Sequence, residues 1–304
     1  MDTEGRLERY RQAGTWPTEE ALAAMLDSQM SAFFAARGAL PALAAAVRAA
    51  AERLRGAGRM VYVGAGASGR LAVQDGVELW PTFGWPNSRL LYLLAGGAGA
   101  LVESVEGAED DGDAAAAEIT RHAIGPDDVV IGVAASGSTE YTRSAVTAAR
   151  GRGALTVAFA NNPNAPLLAE CDHPILLATG PEFLAGSTRM AAGTAQKIAL
   201  NLFSTQLMTE LGRVYDGLMV HVVATNAKLV RRGQRIVQTI TGVSDAAAAR
   251  ALEDAGRSIP LAVLLLDGLL RAEAEARLAA AQGDLRRARN AAGGALAAGI
   301  AAVR

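Results

Sequence analysis

Apolar residues recur at helical spacing through residues 1–55, with Ala, Leu, Met and Phe running to Leu54 and Thr18 placed to cap a helix that begins at Glu19. From Met60 the pattern changes. Short apolar runs at 60–63, 90–94, 129–133, 155–159 and 175–177 alternate with segments of helical spacing. That alternation predicts an α/β fold with a parallel sheet and helices on both faces. Five strands in roughly 120 residues fit a doubly wound five-stranded parallel sheet. After Gly180 the spacing is again helical, over 191–211 and 218–238. Thr241-Gly242-Val243-Ser244 then reads as a helix start, and 246–304 as short Ala-rich helices punctuated by Gly256, Gly268 and Gly283. The expected organisation is an N-terminal helical segment (1–55), an α/β domain with long helices (56–239) and a small C-terminal helical domain (240–304).

The composition narrows the partners. A formal net charge of −2 over 304 residues gives no electrostatic footprint for nucleic acid or an anionic membrane surface, so neither is an expected partner. Cys171 is the single cysteine, which excludes an intrachain disulfide and suits a reducing compartment; the cytoplasm is expected, and no secretory signal is read at the start of the chain. Only Lys197 and Lys228 are lysines among 29 basic residues. Lysine and arginine differ as donors, which makes these two positions candidates for a specific role.

Two strands run directly into small-residue loops that carry serine: 60–63 into Gly64-Ala65-Gly66-Ala67-Ser68-Gly69-Arg70, and 129–133 into Ala134-Ala135-Ser136-Gly137-Ser138-Thr139. Crowded backbone N–H groups at a strand-to-helix turn, backed by the positive end of a helix, bind anions, and glycine lets the main chain approach closely. A small phosphorylated ligand is therefore expected. Gly64, Gly66 and Gly69 also match G-x-G-x-x-G, but the second strand ends in Ala95-Gly96-Gly97, without the acidic residue that a dinucleotide ribose requires. A third polar stretch, residues 180–190, places Ser187, Thr188 and Arg189 before a helix containing Thr194, Gln196 and Lys197; Ser187 can serve a ligand or simply cap that helix.

Two acidic positions invite a chemical role. Glu78 sits among Val77, Leu79, Trp80 and Pro81, and burial there would raise its pKa toward that of a general acid; the alternative is a half-exposed side chain on the helix after the first loop. Glu103, Glu106, Glu109, Asp110, Asp111 and Asp113 form an acidic cluster, and spacing does not choose Glu109 over Glu106 as a base. His122, His173 and His221 do not cluster and Cys171 stands alone, so no metal is expected.

The strings VGAGASGRLAVQDGVELWPTFG, SVEGAED, AASGST, GPEFLAGSTRMAAGTAQKIALN and LMVHVVATNAKL, in this order across roughly residues 55–240, resemble the N-acetylmuramic acid 6-phosphate etherases of the sugar isomerase (SIS) domain superfamily. The resemblance implies a flavodoxin-like SIS domain and a UBA-like helical tail. It also implies a homodimer with its active site near the subunit interface, and no metal or organic cofactor. The implied reaction cleaves the D-lactyl ether of N-acetylmuramate 6-phosphate to N-acetylglucosamine 6-phosphate and D-lactate in cell-wall recycling. It assigns the proton donor to Glu78 and the second catalytic carboxylate to Glu109. Substrate and phosphate contacts are expected from Gly66, Ser68, Gly69, Arg70, Ser136, Gly137, Ser138, Thr139, Ser187, Thr188 and Lys197. The chain departs from the family pattern at Ala67 (usually Thr), Ser138 (Arg), Glu140 (Pro), Leu79-Trp80 (Cys-Pro), Ala191 (Lys) and His221 (Asp). Two other readings remain: a non-catalytic sugar-phosphate sensor, and an aldose–ketose isomerase acting on another hexose phosphate.

Overall fold

A computed structural model describes residues 3–290. The chain divides into two compact units, Met1–Val77 with Ser88–Leu207, and Glu78–Asn87 with Met208–Arg304.

The first unit is built on a five-stranded parallel sheet: β1 (Met60–Gly64), β2 (Leu90–Leu94), β3 (Val129–Val133), β4 (Leu155–Ala160) and β5 (His173–Leu176), in the order β2-β1-β3-β4-β5. Every residue of β1, β3 and β4 is buried, as strands covered on both faces must be. The side-chain alternation of β1 divides the core: Val61 and Val63 join one cluster with Ile119, Tyr141, Ala145 and Leu167, while Tyr62 points to the other face. The first of these faces is covered by α5 (Gly112–Arg121), α6 (Glu140–Gly151) and α7 (Pro166–Glu170). The second is covered by α2 (Leu40–Leu54), α3 (Gly66–Val77) and α8 (Ala191–Glu210), where Phe203 of α8 meets Phe159 of β4 edge-to-face at 6.1 Å. Helix α1 (Thr18–Gly38) precedes α2; its first helical residue is Thr18 itself, Pro17 takes the cap position and no side-chain cap forms.

The expected sheet is the one observed, with β5 beginning two residues earlier than its apolar run. The expected helix over 218–238 is shorter. Val220 N–H donates to Leu218 O and Val222 N–H to Met219 O, while Val223 N–H donates to Pro81 O, so this stretch is a series of tight turns rather than a helix. The helix α9 (Ala227–Thr241) starts only where Asn226 accepts from Leu229 N–H.

In the second unit, α4 (Leu79–Phe83), α9, α10 (Asp245–Asp254), α11 (Ile259–Leu266) and α12 (Arg271–Ala280) make the helical set. Ser244 and Ser258 cap α10 and α11. Around α11, Ile259 and the run Leu261–Leu264 are buried against Ile236, Val237 and Leu252. The last part of the Ala-rich tail expected from the sequence, 291–304, lies outside the described residues. Among the described residues no single helix is long and apolar enough to cross a membrane; α1 and α2 reach that composition only as a pair bent by 53°.

Candidate active site

The sheet order reverses between β1 and β3, and in doubly wound folds ligands bind in the crevice at the carboxyl end of the strands flanking such a point. Both serine loops leave the sheet there side by side, since Gly64 is in register with Val133. Helix α3 starts at Gly66, whose φ of +52° suits glycine; Gly69 N–H donates to Ala65 O at 2.9 Å, and the N–H groups ahead of it in the first turn have no intrahelical acceptor. Gly69 serves packing. A Cβ there would meet Leu94 Cδ1 at 2.3 Å and the Gly64 carbonyl carbon at 2.8 Å, so its absence lets α3 sit directly on β1.

A cavity of about 260 Å³ opens at the end of β1. Gly66 and Arg70 of α3 form one wall, and the segment carrying Glu103, Ser104, Glu106 and Glu109 forms the other. All of it belongs to the first unit. Arg70 is held by that segment: its Nε donates to Ala100 O at 2.9 Å and its Nη2 to Glu103 O at 3.3 Å. The guanidinium thus braces the acidic loop, a use the sequence did not suggest. Glu109 is exposed, on a short 3₁₀ turn at Ala108–Asp110 that follows Gly107 with φ +70°.

The second loop is ordered by its own hydroxyls. Ser138 donates to Ser136 Oγ from its N–H at 3.2 Å and from its hydroxyl at 3.0 Å. Gly137 has φ +69°, and a Cβ there would strike Ala165 Cβ at 2.3 Å. Thr139 precedes α6 without a side-chain cap bond. Ser68 is almost fully buried inside the first turn of α3.

The third loop departs most from expectation. Its helix start already holds an anion: Glu182, 1% exposed, accepts from Ala191 N–H at 2.9 Å and Ala192 N–H at 2.8 Å. Ser187 is therefore not the cap of α8, and the positive end of that helix is occupied by a side chain of the protein. Ser187 and Thr188 lie partly exposed just before it, tied by Ser187 N–H to Leu184 O and Gly193 N–H to Thr188 O. The buried Thr3 bridges the loops: its N–H donates to Asn162 Oδ1 at 2.9 Å and its carbonyl accepts from Gly186 N–H at 3.2 Å, while Tyr10 packs tilted against Phe183 with ring centroids 4.5 Å apart.

Glu78 belongs to the second unit, at the junction of α3 and α4, and is exposed rather than enclosed by its apolar neighbours. The chain turns there so that Leu79 is buried while Val77 is 48% exposed. Lys197 lies on α8, where its Nζ donates to Asn201 Oδ1 at 2.6 Å. Among the described residues no group of three His, Cys, Asp or Glu side chains is arranged to hold a metal ion.

Sequence comparison bears on the same residues. Residues 42–150 match the model of the glucokinase regulatory protein N-terminal SIS domain, and 110–206 match the SIS domain. An N-acetylmuramic acid 6-phosphate etherase of Deinococcus radiodurans is 51% identical over 278 residues, 91% of either chain. The chain belongs to the N-acetylmuramic acid 6-phosphate etherase family. Further etherases are similar to it: that of Rubrobacter xylanophilus is 49% identical over 79% of this chain and 80% of its own, and that of Mycolicibacterium smegmatis 44% over 95% and 97%.

Glu140 at the start of α6 needs an account, because a carboxylate beside an anion loop would oppose binding. The structure turns it away. Glu140 Oε2 accepts from Arg143 at 3.0 Å and Oε1 from Ser144 Oγ at 3.1 Å, beside Gly112 at the start of α5, while Arg143 also pairs with Glu170. Its charge is spent on its own helix.

Two groups that sequence reasoning missed are Glu182 and Asp75. Asp75 is 2% exposed; burial pushes its carboxyl up, and bonds from Tyr62, Asn201 and Ser204 together with the Lys197 charge pull it back. The only sequence signal for either was an acid set among small or apolar neighbours.

Proposed function

We propose that this protein is a lyase that cleaves the D-lactyl ether of N-acetylmuramate 6-phosphate, yielding N-acetylglucosamine 6-phosphate and D-lactate. The observation that carries this reading is the 51% identity with an etherase across 91% of both chains. The cavity between the start of α3 and the turn bearing Glu109 supports it, since Gly66, Arg70 and Glu109 line one space. In the open-chain sugar the C1 aldehyde acidifies the C2 proton. Glu109 removes it, and aimed donors stabilise the enolate. The C3 lactyl oxygen leaves as an alkoxide unless protonated, and Glu78 supplies that proton. Water then adds to the unsaturated aldehyde. The phosphate is held by the Gly66–Arg70 and Ser136–Thr139 loops together with Ser187 and Thr188. No step calls for a Lewis acid, so the reaction proceeds without metal.

The test is D-lactate release from N-acetylmuramate 6-phosphate by the purified protein. Glu109→Gln and Glu78→Gln are each expected to lower kcat by about 10²–10⁴-fold while the sugar phosphate still raises the melting temperature, and chelator is expected to leave the rate unchanged. Ligand-induced stabilisation without lactate release would favour a sensor instead, and a ketose product without lactate an isomerase. The working form is a homodimer of the cytoplasm. The exposed apolar stripe of α1 supports the first statement, and the second rests on Cys171 being the single cysteine of the sequence.

A further inference from the structure

A single chain of side-chain hydrogen bonds runs from β1 to the surface of α8. Tyr62 Oη donates to Asp75 Oδ2 at 2.9 Å; Asp75 Oδ1 accepts from Asn201 Nδ2 at 2.6 Å and from Ser204 Oγ at 3.0 Å; Asn201 Oδ1 accepts from Lys197 Nζ at 2.6 Å. The direction of the amide in this chain is forced. An ammonium can only donate, so the carbonyl half of Asn201 must face Lys197, and its amino half is left for Asp75. Asp75 is fixed in turn. It sits on the face of α3 beside Gly76, where a Cβ would strike Tyr92 at 2.5 Å and Tyr62 at 2.9 Å, so the two stacked tyrosines lie flush against the helix and one of them locks the carboxylate.

We propose that Asp75 and Asn201 are positioning residues that hold the Lys197 ammonium as a fixed contact for an anionic oxygen of the sugar phosphate. The inference rests on the reading given under Proposed function. Helices α3 and α8 run along each other: the Gly193 backbone lies beside Leu71, and Asn201 and Ser204 lie beside Asp75. Lys197 occupies the turn between those contacts. It therefore stands on the seam of two helices, one beginning at Gly66 and the other preceded by the loop that carries Ser187. Its only hydrogen-bonding partner among the described side chains is a neutral amide oxygen, which uses one of three N–H donors and leaves two for a ligand. In a chain that uses arginine at 27 of its 29 basic positions, arginine would not fit this role. Its planar fork cannot replace a compact point charge capped by one carbonyl.

The test is a double-mutant cycle on the full chain, read as KM and kcat for D-lactate release. Lys197→Ala is expected to raise KM roughly tenfold, and Asn201→Ala roughly three- to tenfold, with kcat moving less than about twofold in each. The double variant is expected to match Lys197→Ala alone, because without the ammonium the amide has nothing to position. A purely structural Asn201 would add its effect to that of Lys197→Ala and lower the melting temperature equally in both backgrounds. Wild-type KM in Lys197→Ala, or additivity in the double variant, overturns the proposal. If the wild-type protein releases no lactate, the etherase reading fails by itself. The same cycle is then read as Kd for N-acetylglucosamine 6-phosphate by calorimetry, with the same two outcomes deciding. Asn201→Ser provides the second substitution should Asn201→Ala fold poorly.

Discussion

Arg213 and His221 show how one residue can set the response of this protein to acid. Arg213 lies over the Trp85 ring at 5.7 Å, its Nε is buried without a hydrogen-bond partner, and burial lowers its pKa. His221 is close enough to feel that charge. Burial first and Arg213 second pull its pKa down to about 4, against opposing contributions from Gly283 O and Asp284. Its Nε2 lies 2.9 Å from Gly283 O, which fixes the neutral tautomer with the proton on Nε2. A histidine that protonates near 6.5 when unfolded but near 4 when folded leaves the native state short of a proton between those values. Its contribution is intact above pH 6.5 and is lost as pH falls from 6.5 toward 4, at about 1.4 kcal/mol per pH unit. The urea midpoint should therefore fall across that window. In His221→Gln, which keeps a donor for Gly283 O but does not titrate, the fall should be shallower; equal slopes would show that His221 does not carry it. Little of this was readable in advance. A lone histidine in a sequence carries no sign of its burial, and Glu182 and Asp75 were invisible for the same reason: a carboxylate becomes a cap or a network hub only through donors brought from distant parts of the chain.

At the level of elements the sequence was far more informative, because a doubly covered parallel strand must be apolar throughout and few other elements read that way. The runs that became β1 to β4 announced themselves for this reason, and so did the glycine-ended helices of the tail. The stretch before α9 failed because its apolar residues satisfy helical spacing while its backbone bonds are taken by tight turns and by Pro81 O, a partner distant in sequence. The first glycine loop reads in the sequence as a place for ligand approach, with no sign of the packing that Gly69 allows. Gly69→Ala tests the difference. In an exposed helix that exchange would stabilise by up to about 1 kcal/mol. Here the added methyl meets backbone of Gly64 at 2.8 Å, so α3 must lift from the sheet. A loss of about 1–3 kcal/mol is expected in chemical denaturation, with a raised KM for the sugar phosphate because the helix start shifts with it. A stabilised Gly69→Ala would mean that the loop glycine is kept for ligand approach alone.

At the level of the whole molecule, α1 presents an exposed apolar face. This helix of 21 residues buries only Ala32 and Ala36 among its own side chains, while Leu22, Leu26, Met30, Phe33 and Phe34 are 53–70% exposed. Their spacing of three, four or one keeps them on one side of the helix, so they form a continuous apolar stripe of a kind that soluble monomers rarely leave open. Helix α2 behaves differently: Leu43, Ala46, Val47, Ala50 and Leu54 are buried against the sheet, which leaves the bent pair only one free apolar arm. A second copy of the chain presenting the same stripe would cover it through an isologous contact, in which each α1 supplies and receives the same aromatic and leucine side chains. Such an association has a thermodynamic signature apart from size. The melting temperature of a dimer rises with protein concentration, because only the folded state associates. Light scattering should give twice the chain mass for the wild-type protein and one chain mass for the Leu26→Glu, Phe34→Glu variant, whose melting temperature should also lose its dependence on concentration. A wild-type protein that scatters as one chain at micromolar concentration would show that some other surface, or none, covers this helix.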